Sequence, residues 1–293
     1  MSGVDARSYP ELDDWLAFAL ACCDIADEMA MAHFRRDPVI ETKPDRTFVT
    51  QADQAIERAI RERIAAVYPG HGLVGEEYGT ADGHGSVRWY IDPIDGTHNY
   101  MRGVPLFGTL LAAEHDGEVV VAVMSAPAMG TRWYARRGGG AWAVDALGPT
   151  SGTPRRIGVS RVSDLADAQV VYASPLEIQR SGEAPGFEAL VRSVWRDRGF
   201  GDFWGYALVA EGAAEAMIEV GPHSWDLAAP SLIVEEAGGR FTDVHGNRSI
   251  HNGHALATNA LVHDRVLERL ERTEGGSRAG IDAGIARRSP SSR

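Results

Sequence analysis

The apolar residues of this chain change their spacing near residue 70, and no other feature limits the possible folds as much. Upstream, Leu12, Trp15, Leu16, Ala19, Cys23, Ala26, Met29 and Ala30 recur at steps of three and four, which predicts a helix from about Glu11 to Arg35. A second helix is expected from about Thr50 to Tyr68. Thr50 caps it, Ile56, Ile60, Ile64 and Val67 face inward, and Pro69-Gly70 stops it. Downstream the period falls towards two. Strands are expected at Leu73–Gly75, Arg88–Ile91, Phe107–Glu114, Val119–Met124 and Arg132–Arg136, with a hairpin at Asp116-Gly117. Beyond a Gly/Pro/Ser/Thr-rich stretch, Gly148–Pro154, strands and helices alternate. Strands are expected at Val170–Ala173, Ala216–Val220 and Ala255–Thr258, and helices at Phe187–Trp195, Tyr206–Ala213, Leu227–Ala237 and Val262–Arg272. The pattern predicts an N-terminal α+β half over residues 10–147 and a C-terminal α/β half over 155–272. The Gly-, Ser-, Ala- and Arg-rich tail, 273–293, has too little apolar surface to offset the entropy of ordering it and is expected to be disordered.

Charge removes several classes of function. With 29 basic and 41 acidic residues among 293, the net charge is −12. Such an excess of acid argues against a protein that coats nucleic acid, which needs a basic footprint. No apolar run reaches the ~18 residues of a membrane span. The first residues, Met1 to Arg7, hold an acid where a secretory signal would be basic and then apolar. The only cysteines, Cys22 and Cys23, are neighbours on a helix and offer neither a long-loop bridge nor a zinc spacing. A reduced, cytoplasmic protein is expected.

Three acidic segments stand out: Gly75-Glu76-Glu77, Trp89-Tyr90-Ile91-Asp92-Pro93-Ile94-Asp95-Gly96-Thr97, and Trp225-Asp226. In the middle segment a β-type run delivers Asp92 to a strand end, and Pro93 fixes φ and removes a donor. Asp92 and Asp95 can then converge on one point, with the amides of Gly96 and Thr97 as a seat for phosphate. Crowded carboxylates raise one another's pKa unless cations neutralise them. An all-oxygen set suits Mg²⁺, and paired metals are a known device for phosphate-ester hydrolysis. Each piece also has an ordinary reading: a solvated Glu-Glu, an Asp-x-x-Asp turn, and an Asp capping a helix.

The three segments together resemble the signatures of the inositol monophosphatase family of metal-dependent, lithium-sensitive phosphatases. The likeness runs from the first helix to about Leu270, and Lys43-Pro44-Asp45 and Val49-Thr50-Gln51-Ala52-Asp53 match as well. It implies an αβαβα layered sandwich, usually a homodimer, that binds a small phosphate monoester. It further implies two or three Mg²⁺ ions per site. Glu76, Asp92 and the Ile94 carbonyl would hold one, Asp92, Asp95 and Asp226 a second, and a weaker third would lie near Glu76. Thr97, hydrogen-bonded to Asp53, would orient the attacking water. Position 98 is His where many members have Thr, either a rim residue or a catalytic one.

Substrate choice points to Arg198-Gly199-Phe200-Gly201-Asp202-Phe203-Trp204-Gly205-Tyr206. Members that act on inositol phosphates are typically small and neutral after the matching glycine, whereas this chain has Asp202-Phe203-Trp204. A carboxylate and two aromatics suit a ligand with a cation and a flat ring. The Gly-Asp-x-x-x-Tyr pattern, with Glu219 seven residues before Asp226, resembles the histidinol-phosphatase branch. L-Histidinol phosphate, with its amine and imidazole, is the substrate that this resemblance implies; inositol 1-phosphate or another small sugar or nucleotide monoester is the alternative. Asp202 could instead cap a helix, Glu219 could be a surface acid, and Arg198 could pair with either. His251 and His254 are read as a loop, and Gly138-Gly139-Gly140 as a turn.

Overall fold

The computed structural model describes residues 11–36, 40–42, 48–149 and 151–272. The expected disordered tail and the Lys43-Pro44-Asp45 segment lie outside the described residues. Elements follow in the order α1 (Leu12–His33), β1 (Ile40–Thr42), β2 (Phe48–Thr50), α2 (Gln51–Val67), β3 (Gly72–Gly75), β4 (Gly79–Ala81), β5 (Val87–Asp95), α3 (Thr97–Met101), β6 (Gly108–His115), β7 (Glu118–Ala126), β8 (Thr131–Arg136), β9 (Gly140–Asp145) and β10 (Arg155–Arg156). The second half continues with β11 (Gln169–Tyr172), α4 (Pro175–Ser181), α5 (Phe187–Arg192), β12 (Arg196–Arg198), α6 (Asp202–Ala210), β13 (Ala216–Val220), α7 (Ser224–Glu236), β14 (Arg240–Thr242), β15 (His254–Thr258) and α8 (His263–Glu271).

Two large sheets organise these elements, beside a two-stranded β1–β2 pair. The first has the order β10-β9-β8-β7-β6-β5-β3-β4 and is antiparallel except for the β3–β5 pair. The second, β12-β11-β13-β15-β14, is parallel across β12, β11 and β13 and antiparallel beyond. The period-two pattern explains the layering, because successive side chains leave opposite faces of a strand. Trp89, Ile91, Leu111, Val121 and Val123 pack on the α1–α2 stripe of Trp15, Ala19, Cys23, Ile56, Ile60 and Ile64. Their strand neighbours Tyr90, Leu110, Ala112, Ala122 and Met124 face the other way, onto α6 and α7. Met217, Phe241, Ala255 and Ala257 of the second sheet close on the same two helices from the far side. Accordingly α7 is apolar nearly all round, with Leu227, Ala228, Ala229, Leu232, Ile233 and Val234 buried. Ala216, Ile218 and Leu256 turn outward beneath α4, α5 and α8. The result is the helix–sheet–helix–sheet–helix sandwich that the resemblance implies.

Local chemistry fixes several boundaries. Thr50 caps α2 by accepting from the amides of Ala52 and Asp53, and Asp53 accepts the Thr50 amide at 2.9 Å. Asp116 and Gly117 turn the β6–β7 hairpin with φ of 52° and 80°. Residues after Gly148–Pro154 first add β10 to the edge of the first sheet and only then cross to the second. Among the described residues no helix is long and apolar enough to cross a membrane.

Candidate active site

A cleft of about 590 Å³ opens where the C-terminal ends of β3, β5, β11 and β13 meet the first turns of α3, α4, α6 and α7. Regular pleating would send Asp92 and Asp95, three residues apart, to opposite faces of β5. A bulge prevents this: Asp92 pairs with Leu110 but Asp95 pairs with Gly108, so β5 carries one extra residue. Pro93, which cannot donate to the ladder, sits in the bulge, and its carbonyl accepts from the Thr109 hydroxyl at 2.8 Å. Both carboxylates therefore enter the cleft. Asp226 joins them from α7, and oxygens of Asp92, Asp95 and Asp226 lie within 4.8 Å of one another. Gly96 then turns the chain into α3 at φ 81°, where a Cβ would come within 2.9 Å of the Leu106 carbonyl.

Glu76 reaches the cleft from the loop after β3, and a residue that the spacing did not single out holds that loop. Glu57 of α2 is fully buried and accepts the amides of Glu77 at 2.6 Å and Tyr78 at 3.2 Å, with Arg61 donating at 2.7 Å. Gly75 is needed beside it, since a Cβ there would fall 2.1 Å from a Glu57 oxygen. The available signal was an acid on the apolar face of α2, one step from Ile56 and three from Ile60.

Thr97 and Asp53 meet as the resemblance implies. The Thr97 hydroxyl lies 3.0 Å from the Ile94 carbonyl and 3.4 Å from Asp53 Oδ1, while Asp53 Oδ2 accepts from Thr50. Burial lifts the Asp53 carboxyl to about 6 despite those bonds.

The second half supplies the facing wall. Asp202 is not a cap: the Phe203 amide that starts α6 donates to Asp95 across the cleft, at 2.7 Å. Asp202 itself sits at φ 57°, a left-handed backbone that costs a non-glycine residue about 1 kcal/mol or more, and its carboxylate enters the cleft near Asn99 and His98. Glu219 is buried rather than a surface acid, and Tyr206 donates to it at 2.7 Å. Asp226 does cap α7, accepting the His223 amide at 2.6 Å, and still reaches Asp92.

Burial, then neighbouring carboxylates, pushes Asp92 and Asp95 well above the usual range. Burial likewise raises Asp226 to about 6 and Glu219 to about 8. One oxygen of Asp92 is buried with no hydrogen-bond partner among the described residues. A crowded set of hard oxygen donors with an orphaned lone pair fits a divalent cation such as Mg²⁺.

Three expectations are corrected. Arg198 lies exposed on the edge strand β12 and donates to the Asp197 carbonyl; it lines no part of the cleft, because β12 is the outermost strand and β11 stands between it and β13. Phe203 and Trp204 also stay out of it. α6 begins at Asp202, not Tyr206, which puts Phe203 in phase with Tyr206 and Ala207 in the middle layer, against Trp133, while Trp204 packs on Phe200. His254 is the first residue of β15, not part of a loop, and Glu183 and His245 lie beside it. Its Nδ1 accepts the Val244 amide, so the neutral ring presents an N–H, not a lone pair, to Glu183. His98 lines the cleft, and Gly138 and Gly139 lie in the expected β8–β9 turn, with Gly140 opening β9.

A model described as "Inositol monophosphatase family" matches residues 11–274. The histidinol-phosphatase of Mycobacterium tuberculosis is 45% identical over 259 residues, covering 88% of this chain and 98% of that protein. That of Streptomyces coelicolor is 43% identical over 268 residues, 90% and 99% of the two chains. Among solved structures, the extragenic suppressor protein suhB of Bartonella henselae superposes with a TM-score of 0.80 at 26% identity, covering 88% of this chain and 99% of that one. The chain belongs to the inositol monophosphatase family.

Proposed function

We propose that this protein is a Mg²⁺-dependent phosphomonoesterase that hydrolyses L-histidinol phosphate to L-histidinol and phosphate, a step of histidine biosynthesis. One observation carries the choice of substrate. The cleft has carboxylates beyond its metal-type cluster, Asp202 and Glu219 among them, and among the described residues no Lys or Arg lines it. That wall suits a substrate that brings its own positive charge, in agreement with the names of the relatives at 45% and 43% identity described above.

In this reading Glu76, Asp92 and the Ile94 carbonyl would hold one Mg²⁺, and Asp92, Asp95 and Asp226 a second, with a third near Glu76. When bound, the ions supply the charge that neutralises the cluster and the Lewis acidity that ester hydrolysis requires. The chain's own groups do the rest. The Thr97 hydroxyl accepts a proton from the attacking water as it passes its own to Asp53, whose carboxyl, lifted to about 6, is a competent base near neutrality. The amides of Gly96 and Thr97 open α3 without intrahelical acceptors and receive phosphate oxygens. Asp202 and Glu219 take the substrate amine, with Tyr206 fixing Glu219. The reading extends to a cytoplasmic homodimer with both cysteines reduced; Cys22 and Cys23 are free and buried.

Phosphate release from L-histidinol phosphate and from inositol 1-phosphate tests the reading. Expected is a kcat/KM about 100-fold higher for the first, abolished by EDTA and restored by Mg²⁺. Equal values, or turnover indifferent to EDTA, would refute it.

A further inference from the structure

One acid in the cleft has no task in that mechanism. Glu177 lies in the first turn of α4, just past β11. β11 runs parallel to β13 with Tyr172 opposite Ile218, so the segment carrying Glu177 and Glu219 leave the second sheet at the same edge. Ser174-Pro175-Leu176-Glu177 has the sequence of a capping box, and Ser174 does accept the Glu177 amide at 3.2 Å. The reciprocal bond, from the Ser174 amide to the Glu177 carboxylate, is not formed among the described residues. Released from capping, the carboxylate lines the cleft, and its charge acts on both Asp202 and Glu219.

Glu177, Asp202 and Glu219 place three carboxyl groups on this wall, more than one ammonium group needs, and among the described residues no Lys or Arg side chain lines it. The ester of a neutral alcohol would bring only its phosphate dianion and be repelled. L-Histidinol phosphate carries two basic groups on one short chain, an amine and an imidazole. We propose that Glu177 is a specificity residue that accepts the imidazole N–H of the substrate while Asp202 and Glu219 hold the amine, so that the cleft selects phosphate monoesters bearing two basic groups. The proposal rests on the histidinol-phosphatase reading and adds a third, ring-facing acid to it.

Kinetics of Glu177→Gln on three esters test it. For L-histidinol phosphate, kcat/KM should fall about 10-fold, the worth of one charge-assisted hydrogen bond, with the loss in KM more than in kcat. For inositol 1-phosphate and for 2-aminoethyl phosphate, which lacks the ring, kcat/KM should rise because the dianion meets one fewer negative charge. A parallel loss on all three esters would mark a structural role and overturn the proposal. A loss on 2-aminoethyl phosphate matching that on L-histidinol phosphate would assign Glu177 to the amine and overturn the ring contact. Wild-type preference for L-histidinol phosphate with no change in KM in Glu177→Gln overturns Glu177 alone. Absence of that preference in the wild type overturns the functional reading and this inference together.

Discussion

Asp92 shows most sharply how single residues here set function against stability. It is 2% exposed, has an oxygen without a hydrogen-bond partner among the described residues, and faces Asp95 and Asp226 within 4.8 Å. Without cations such a trio destabilises the fold, because burial and like charge both oppose ionisation. Asp92→Asn keeps the shape, removes one charge and gives Asp226 a donor. We expect turnover to drop by about 10³-fold or more, several kcal/mol of transition-state stabilisation. In EDTA, denaturant titration should find the variant about 1–2 kcal/mol more stable than wild type. Loss of both activity and stability would contradict this account of the cluster.

At the scale of elements, most segments were legible and the shortest were not. α1, α2, β5 to β8 and β13 lie within a few residues of their expected positions, because one buried face imposes a period over many residues. β4, β12 and β14 span three residues each, and α4 opens on Pro175 after Ser174 with only Ile178 buried, so no period could announce them. Part of the site was legible by another route, the resemblance of its acidic motifs. Asp92, Asp95 and Asp226 could be named from motif order, but the bulge that unites the first two depends on pairing with β6. Starting α6 four residues late misplaced Phe203, and Glu57, an acid on the apolar face of α2, showed locally that it is buried but not that it anchors the Glu76 loop. Glu57→Ala should strand the Glu77 and Tyr78 amides and Arg61. The expected cost is about 3 kcal/mol in denaturant unfolding, accompanied by weaker Mg²⁺ activation, with Glu57→Gln milder on both counts. A variant with wild-type stability would exclude Glu57 as that anchor.

For the molecule as a whole, the two sheets share a middle layer of α6 and α7, so the cleft between them depends on both halves keeping their packing. His263 ties α8 to the second sheet. Its ring is fully buried, with Nε2 3.0 Å from the Thr242 hydroxyl and Nδ1 2.9 Å from that of Thr258. Burial, with Arg240 nearby, lowers its pKa from 6.5 to about 4. Between those values the unfolded chain binds a proton that the folded one refuses, so stability present above pH 6.5 is lost as pH falls towards 4. The full loss is about 3 kcal/mol. His263→Asn should lose that much less than wild type over the window, and parallel pH–stability curves would exclude the role. The central claim, that acids from β5, α7 and the β3 loop converge to hold divalent cations, is tested most directly by anomalous diffraction from a crystal soaked in Mn²⁺ and phosphate. We predict anomalous peaks bounded by Glu76, Asp92, Asp95 and Asp226, with phosphate against Gly96 and Thr97. Those four side chains pointing apart with no ion between them would contradict it.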